Sequence, residues 1–537
     1  MATRPAAAAP AHAAPQSAWA PLRNPIYRAL WIAQLVSNIG TWMQNVGAAW
    51  LMGSLGGSVA QVALVQSAVT LPVFLTALPA GAIADIVDRR RLLLCTQSWM
   101  LLSAVALALL TRADAITPSL LLVLTFSLGL GTAINMPAWQ AIQPELVPRR
   151  EFPQAVALGS ASVNVGRAIG PAIGGVLVAL AGSEAVFAVN AASFLGILVV
   201  LFTWRREASE SEVPAERLGS AVRAGLRYLG NSPALRSVLA RSATFMVAAS
   251  SFLALLPVVA RSELDMTAAG FGSLLTCFGA GALIATATLP RLRERLSIDR
   301  LVVGATLTVA AALAGLAAFE SVPVAVIACL VGGVAWVLCL SSFNIAAQRA
   351  LPGWVRARGM GFYLLTIQGG TATGAALWGT IASRSDVRVA LACAAAALAA
   401  GTLVALRFRL ARGERLDLRA APYSSEPALV LEPRPAQGPI LVTLDYRVPA
   451  DNADAFADAM RKVGRMRRRT GAYRWGLFRD SAEPDRFLET FLVDSWEEHL
   501  RQHQRVTATD RRVEDEAREL AESSGDPVAT HYVSAYG

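Results

Sequence analysis

Leu301–Phe319 reads LVVGATLTVAAALAGLAAF and contains no charged residue. A helix needs ~20 apolar residues to cross a hydrocarbon core ~30 Å thick, so this run is long enough to span one. Similar runs recur along the chain at Ala29–Leu51, Ala60–Ile83, Leu92–Leu110, Leu120–Met136, Val186–Phe202 and Val389–Phe408. A core helix of a water-soluble domain shows a polar face, and these mostly lack one. Counting every such run gives about twelve. The expected fold is therefore an all-α polytopic membrane protein of about twelve transmembrane helices in two six-helix halves, with a small α+β ferredoxin-like domain after them.

Composition agrees with a membrane class. The chain is 54% hydrophobic and 16% charged, with mean hydropathy +0.46. Its five cysteines (Cys95, Cys277, Cys329, Cys339, Cys393) lie in or beside apolar runs, which reads as small packing residues rather than disulfides or a metal site. The Ala- and Pro-rich N-terminus has no h-region, so no cleavable signal peptide is expected and the first membrane helix directs insertion.

The basic balance, net +10, could suggest nucleic acid, but the placement of the charge says otherwise. Lys462 is the only lysine, so 47 of the 48 basic residues are arginine. Arg89–Arg91, Arg149, Arg150, Arg205, Arg206, Arg291, Arg293, Arg295, Arg356 and Arg358 fall in alternate connections, whereas the others carry only Arg112, Arg261, Arg384 and Arg388. That asymmetry is the positive-inside pattern and predicts both termini in the cytoplasm of a bacterial inner membrane. Residues 439–537 hold 15 basic and 18 acidic residues, net −3, which leaves net +13 on the remainder. The charge reports topology, and no nucleic-acid partner is expected.

The sequence divides into a disordered cytoplasmic tail at 1–27, a first half at 28–203, an inter-half linker at 204–236, a second half at 237–408, a second linker at 409–438 and the ferredoxin-like domain at 439–537. An internal repeat connects the halves. Gly166, Gly170 and Gly175 recur as Gly370, Gly374 and Gly379, a constant offset of 204 positions shared by Pro148/Pro352, Arg89/Arg293 and Arg91/Arg295. Parallel repeats of six spans suit alternating access by rocking one half against the other. In the tail, Ile440–Val448, Tyr473–Arg479, Arg486–Asp494 and Val528–Tyr536 read as strands. Ala450–Arg468, Trp496–Arg505 and Asp510–Glu522 read as helices, giving the order βαββαβ with one extra helix.

Two motifs stand in the membrane part. Between the second and third spans runs Gly81-Ala-Ile-Ala-Asp85-Ile-Val-Asp88-Arg89-Arg90-Arg91. Its glycine allows close helix contact, Asp85 at a helix end can meet a neighbouring helix N-terminus, and the arginines hold the loop at the cytoplasmic face. In the fifth span Gly166-Arg-Ala-Ile-Gly170-Pro171-Ala-Ile-Gly174-Gly175 combines small residues four apart with a proline that frees a backbone carbonyl. The first resembles the signature loop of the major facilitator superfamily, departing from it at Asp88, where glycine is usual. The second is similar to the motif associated with exporters of that superfamily. With Asn38-Ile-Gly-Thr-Trp-Met-Gln-Asn45, residues 20–410 look closest to the subgroup containing enterobactin-type siderophore exporters. The resemblance implies a secondary active transporter that exports small amphipathic molecules by alternating access, and not an enzyme. It also implies gating by Gly81, Asp85, Arg89, Arg90, Gly166, Gly170, Pro171 and Gly174.

Polar residues inside spans are costly and tend to face a cavity. Gln34, Asn38, Thr41 and Asn45 are spaced 4, 3 and 4 and form one helical stripe; Ser160, Asn164 and Arg167 form another, and Asn135 lies in the fourth span. These (Gln34, Asn38, Thr41, Asn45, Asn135, Asn164 and Arg167) are the candidate substrate-binding residues. Arg167 either attracts an anionic or catecholate group or bonds to asparagines and carbonyls of neighbouring spans. Asp85 and Glu145 could carry protons, but their place near the boundary favours a structural role. All four histidines lie outside the spans. In the tail, Trp496-Glu-Glu-His499-Leu-Arg-Gln-His503 resembles antibiotic-biosynthesis-monooxygenase-like domains, which form dimers and in some cases oxidise aromatic compounds without a cofactor. His499 and His503 have metal-ligand spacing but no evident third ligand, so a solvated structural pair is expected, with no metal and no cofactor. The expected partners are the lipid bilayer and a small-molecule substrate. Three roles stay open for the tail: sensor, enzyme acting on the transported metabolite, or homodimerisation module.

Overall fold

A computed structural model of the chain describes residues 17–204, 218–421, 433–521 and 529–535, except for the side chains at 77–78, 81–86, 141, 144, 149, 218–222, 412 and 414–415. The first half comprises α1 (Pro25–Ser54), α2 (Val59–Ile86), α3 (Arg89–Arg112), α4 (Pro118–Leu146) and α5 (Phe152–Thr203). A linker helix α6 (Leu218–Asn231) precedes α7 (Pro233–Val258), α8 (Ala268–Arg295), α9 (Ile298–Ala318), α10 (Val322–Arg349), α11 (Arg356–Arg384) and α12 (Val387–Gly401), then one short turn, α13 (Val404–Arg407). Nine helices among the described residues are long and apolar enough to cross a membrane, and α5, with 52 residues, bends at Gly182 (φ 78°, ψ 170°) into two arms. Only glycine takes that backbone conformation freely. α1 (30 residues) and α11 (29 residues) match the others in length. Leu102, Leu109, Val123, Val199 and Phe202 are 61–69% exposed on the outer surface, where lipid rather than water suits them.

Helix starts follow local chemistry. Asn24 accepts from the Ile26 and Tyr27 amides with Pro25 at the first helical position; Thr117 with Pro118 and Ser232 with Pro233 repeat the device. These caps shift two expected boundaries. The first helix begins at Pro25, and Tyr27 is buried with its hydroxyl donating to the Ala155 carbonyl (3.0 Å), so the expected disordered tail to residue 27 ends earlier; residues 1–16 lie outside the described set. The second half begins at Pro233 rather than residue 237.

Glycines set how the helices meet. A Cβ on Gly166 would lie 3.0 Å from the Asn38 backbone, and one on Gly174 would lie 2.8 Å from the Met43 Cα, so α5 lies against α1. At the 204-residue offset, a Cβ on Gly370 would lie 2.9 Å from Met246, which lays α11 against α7 in the same way. Gly175 then faces Gly272 of α8, and Gly379 faces Ala60 of α2, each in the opposite half. The halves therefore touch from mid-membrane to the far end, the end that carries the α1–α2 turn and Gly182.

At the other end, where both termini emerge, two ion pairs among the described residues each join helices of one half. Arg89 pairs with Glu145 (2.6 Å), and Arg90 donates to the last α5 carbonyls, Leu201 (2.8 Å) and Phe202 (3.0 Å). Arg241 pairs with Asp299, which also accepts from the Leu410 (3.0 Å) and Ala411 (3.1 Å) amides.

The tail folds as β1 (Ile440–Arg447), α14 (Ala453–Thr470), β2 (Arg474–Arg479), β3 (Arg486–Val493), α15 (Trp496–Gln504), α16 (Ala508–Arg518) and β4 (Ala529–Val533). The sheet order is β2-β3-β1-β4 with every neighbouring pair antiparallel, the ferredoxin-like arrangement. Strand alternation sends Ile440, Val442, Leu444 and Tyr446 into a core shared with Phe456, Met460 and Phe491. On the surface of α14, Lys462 pairs with Glu516 of α16 (3.3 Å).

The α8–α10 contact gives a direct test of the glycine rule. Gly281 meets the Leu330 carbonyl and Gly333 the Phe278 carbonyl with no room for a side chain, whereas Gly304 has open space. Gly281→Leu and Gly333→Leu should each destabilise the protein by ~1–3 kcal/mol, and Gly304→Leu should not. Thermal unfolding in detergent measures this; equal melting of all three variants would refute the close-contact account.

Candidate functional site

The candidate site lies on α1 and α5. Gln34 Nε2 donates to Asn38 Oδ1 (3.1 Å), Asn38 Nδ2 donates to Ser162 Oγ (2.8 Å), and Thr41 Oγ1 donates back to the Ser37 carbonyl (2.9 Å). The stripe thus spends part of its polarity joining α1 to α5, where Gly166 brings the backbones close enough for the bond. Asn135 is taken up elsewhere: its Oδ1 accepts from Thr96 Oγ1 (2.9 Å) and Gln97 Nε2 (3.3 Å) of α3. Asn45 and Asn164 are half-buried, and neither amide bonds to a protein group among the described residues.

Arg167 lies over the Trp42 ring, 5.3 Å from guanidinium carbon to ring centroid, and its buried Nε has no hydrogen-bond partner. The alternative in which Arg167 bonds to asparagines is absent from the described contacts; an aromatic face on α1 receives it instead. Sequence reading missed Trp42, although it stands one helical turn after Asn38 and packs directly on Gly170. It also missed the buried pair in which Asn190 Nδ2 donates to Gln44 Oε1, because Gln44 faces away from the stripe.

The gating candidates separate. Gly166, Gly170 and Gly174 line the α1 contact, and the Pro171 carbonyl meets Gly272 of α8. Arg89 and Arg90 make the helix-end ties above. Gly81 and Asp85 belong to the last turns of α2, but their side chains lie outside the described residues. Asp88 caps α3 by accepting from the Arg91 amide (2.9 Å), the role a glycine there could not fill. At the far end Arg261 lies over Trp50 (5.4 Å to centroid), a contact between halves.

In the tail, the expected solvated histidine pair is corrected. His499 is 1% exposed, and His531 of β4 joins it, Nε2 to Nε2 at 3.0 Å. His503 meets His499 edge-on at 4.5 Å between centroids and Trp496 lies against it at a tilt, 5.2 Å away, while His499 Nδ1 has no partner. The third imidazole comes from a strand distant in sequence, which spacing on one helix could not reveal. No group of three His, Cys, Asp or Glu among the described residues is placed to hold a metal. Burial first, then the neighbouring histidines, pushes His499 down to about 3; burial and Arg467 push His503 down to about 4.

Two helical halves related by a repeat, with polar groups facing a glycine seam, define the major facilitator class of membrane protein. A sequence profile described as transmembrane secretion effector matches residues 16–536, and the chain belongs to that family. It is 28% identical over 254 residues to the staphyloferrin A transporter of Staphylococcus aureus, covering 47% of this chain and 64% of that protein. It is 26% identical to the multidrug efflux pump Tap of Mycolicibacterium fortuitum (63% of this chain, 84% of that one). With the enterobactin exporter EntS of Salmonella typhimurium it shares 27% identity (66% and 85%). Among solved structures, a point mutant of the nucleoside transporter NupG superposes with TM-score 0.59 at 12% identity, covering 72% of this chain and all of that one, a likeness of fold.

Two measurements follow from the geometry. Arg167→Gln removes one cation–π contact, worth ~0.5–2 kcal/mol. It should therefore insert and fold with a small stability loss while reducing export of acidic compounds more than neutral ones; equal losses with poor expression would make Arg167 structural. In the tail, the folded imidazoles stay neutral, whereas unfolded ones gain protons below ~6.5. The unfolded state then binds more protons, so tail stability is full above pH ~6.5 and falls as pH drops toward ~4. The tail transition in full-length protein should melt earlier at pH 5 than at pH 7.5, and His499→Phe should flatten the difference. A pH-independent transition would mean that the imidazoles are not held neutral.

Proposed function

We propose that the chain is a secondary active exporter of small amphipathic molecules, of siderophore, drug or secondary-metabolite type, working by alternating access with both termini in the cytoplasm. The observation that carries this reading is the seam. Opposite halves meet through Gly175–Gly272 and Gly379–Ala60 toward the far end, and at the terminus end Arg89 pairs with Glu145 in the first half and Arg241 with Asp299 in the second. Close contacts through glycine leave little side-chain packing to undo where they occur, which helps rigid halves part and close. Siderophore and drug exporters among the relatives support the substrate class.

In this reading Arg167, backed by Trp42, meets an anionic or catecholate group, and the uncommitted amides of Asn45 and Asn164 on the same two helices serve the rest of the molecule. Gln34, Asn38 and Thr41 shape the wall, and Asn135 acts through α3. Gly81 and Asp85, followed by Arg89 and Arg90, serve the terminus-end gate, and Gly166, Gly170, Pro171 and Gly174 form the surface on which α5 moves. The arginine asymmetry supports the cytoplasmic placement of the termini. A second reading, in which the tail oxidises the transported metabolite, draws on one observation: the buried His499 with its unpartnered Nδ1 against Trp496. Phe478 and Tyr532, exposed on the two edge strands, are where a second copy would pair if the tail dimerises.

Metabolite profiling tests the function. A deletion strain should retain inside the cell a compound that the complemented strain secretes, and Asp85→Asn should restore protein but not secretion. Unchanged profiles would refute export, and accumulation of an oxidised derivative only when the tail is intact would favour the enzymatic reading. A C-terminal alkaline phosphatase fusion should stay inactive; activity would reverse the orientation.

A further inference from the structure

The tail does not hang free. Arg227 of α6 donates to Glu498 (3.0 Å) and Asp494 (3.2 Å) of the tail. Buried Glu498 is shared, for it also accepts from Arg505 at 2.6 and 3.1 Å. Arg505, 7% exposed, lies over Trp354 at 4.7 Å in the short α10–α11 connection. Trp354 meets Tyr228 of α6 edge-on at 5.8 Å, and the Tyr228 hydroxyl donates to the Ala350 carbonyl just after α10 (2.7 Å). The linker is bound too: the Ala421 amide donates to the Val506 carbonyl (2.9 Å) and the Ala508 amide to the Arg419 carbonyl (3.0 Å).

These contacts lead into a moving part. A Cβ on Gly225 of α6 would lie 2.9 Å from Phe362, so α6 rests on the first turns of α11. α11 is one unbroken helix of 29 residues, and its other end carries Gly379, in contact with α2 of the first half. A stiff helix joins the two places. On the tail side, α15 carries Glu498 toward the membrane half and His499 toward the imidazole cluster, so one helix adjoins both.

We propose that the tail is a brace on the transport cycle: its clamp on α6 and Trp354, passed along α11, sets how readily the far-end seam opens. The inference rests on the alternating-access reading. A charge pair that holds one conformation more tightly than another shifts their populations by that difference. The clamp is therefore a control point through which anything that moves α15 changes export.

Hydrogen exchange on the full-length protein in lipid nanodiscs tests this, read at the far-end segments 47–62 and 375–384. Arg227→Glu should change exchange there several-fold, and the swap Arg227→Glu with Asp494→Arg should bring it back toward wild type. Trp354→Leu removes the stacking without adding charge and should act in the same direction, which keeps the test valid if Arg227→Glu folds poorly. Gly175→Leu, which wedges the seam directly, separates the two readings. If it raises far-end exchange while the clamp variants alter only α6, α15 and residues 353–355, the brace is refuted and alternating access stands. If Gly175→Leu also leaves the far end unchanged, the alternating-access reading fails with it.

Discussion

Backbone-to-backbone contact through glycine is the constraint on which this structure depends. In hydrocarbon, burying an apolar side chain gains little, because lipid is as apolar as leucine; helices associate by close packing and a few polar bonds. Gly166, Gly170 and Gly174 let α5 approach α1 closely enough for Asn38 to reach Ser162, which satisfies part of the stripe and leaves the Gln34 Oε1 without a partner. The candidate site is a by-product of that approach. The Arg167 Nε is left without a partner there, and the proposed substrate contact draws on it.

Much of this was legible in the sequence. Twenty-residue apolar runs have one physical reading, and capping residues followed by proline mark helix starts at Asn24, Thr117 and Ser232. The tail was equally readable, since strand alternation and helix periodicity together specify βαββαβ. What escaped was long-range. Trp42 looks like any interfacial tryptophan until Gly170 is laid over it, and His531 carries no signal until β4 pairs with β1 and brings it to His499. Local pattern fixes elements and their faces; which faces meet depends on contacts that a linear reading does not contain.

The charges divide by environment. In the membrane part the described ion pairs and capping groups sit in the outer turns of helices, and Arg167, further in, is softened by an aromatic face. In the tail they enter the core. Glu489 is fully buried, yet it accepts from Arg467 (3.1 Å), Trp475 (2.9 Å) and Tyr446 (3.1 Å). A buried carboxylate so completely bonded costs little in place, but losing any one donor would leave it exposed to the full desolvation penalty. That core is specified by geometry rather than by oiliness.

Lys462 carries a practical consequence. It is the only lysine in the sequence, and its ammonium stands on the outer surface of α14, held loosely by Glu516. Guanidinium groups do not react with common acylating reagents at neutral pH, so amine chemistry sees a single side chain in the whole chain. A fluorophore or biotin delivered as an active ester therefore attaches at this tail side chain and at the chain's α-amine, and leaves every membrane-spanning side chain untouched, giving an optical handle without engineered cysteines.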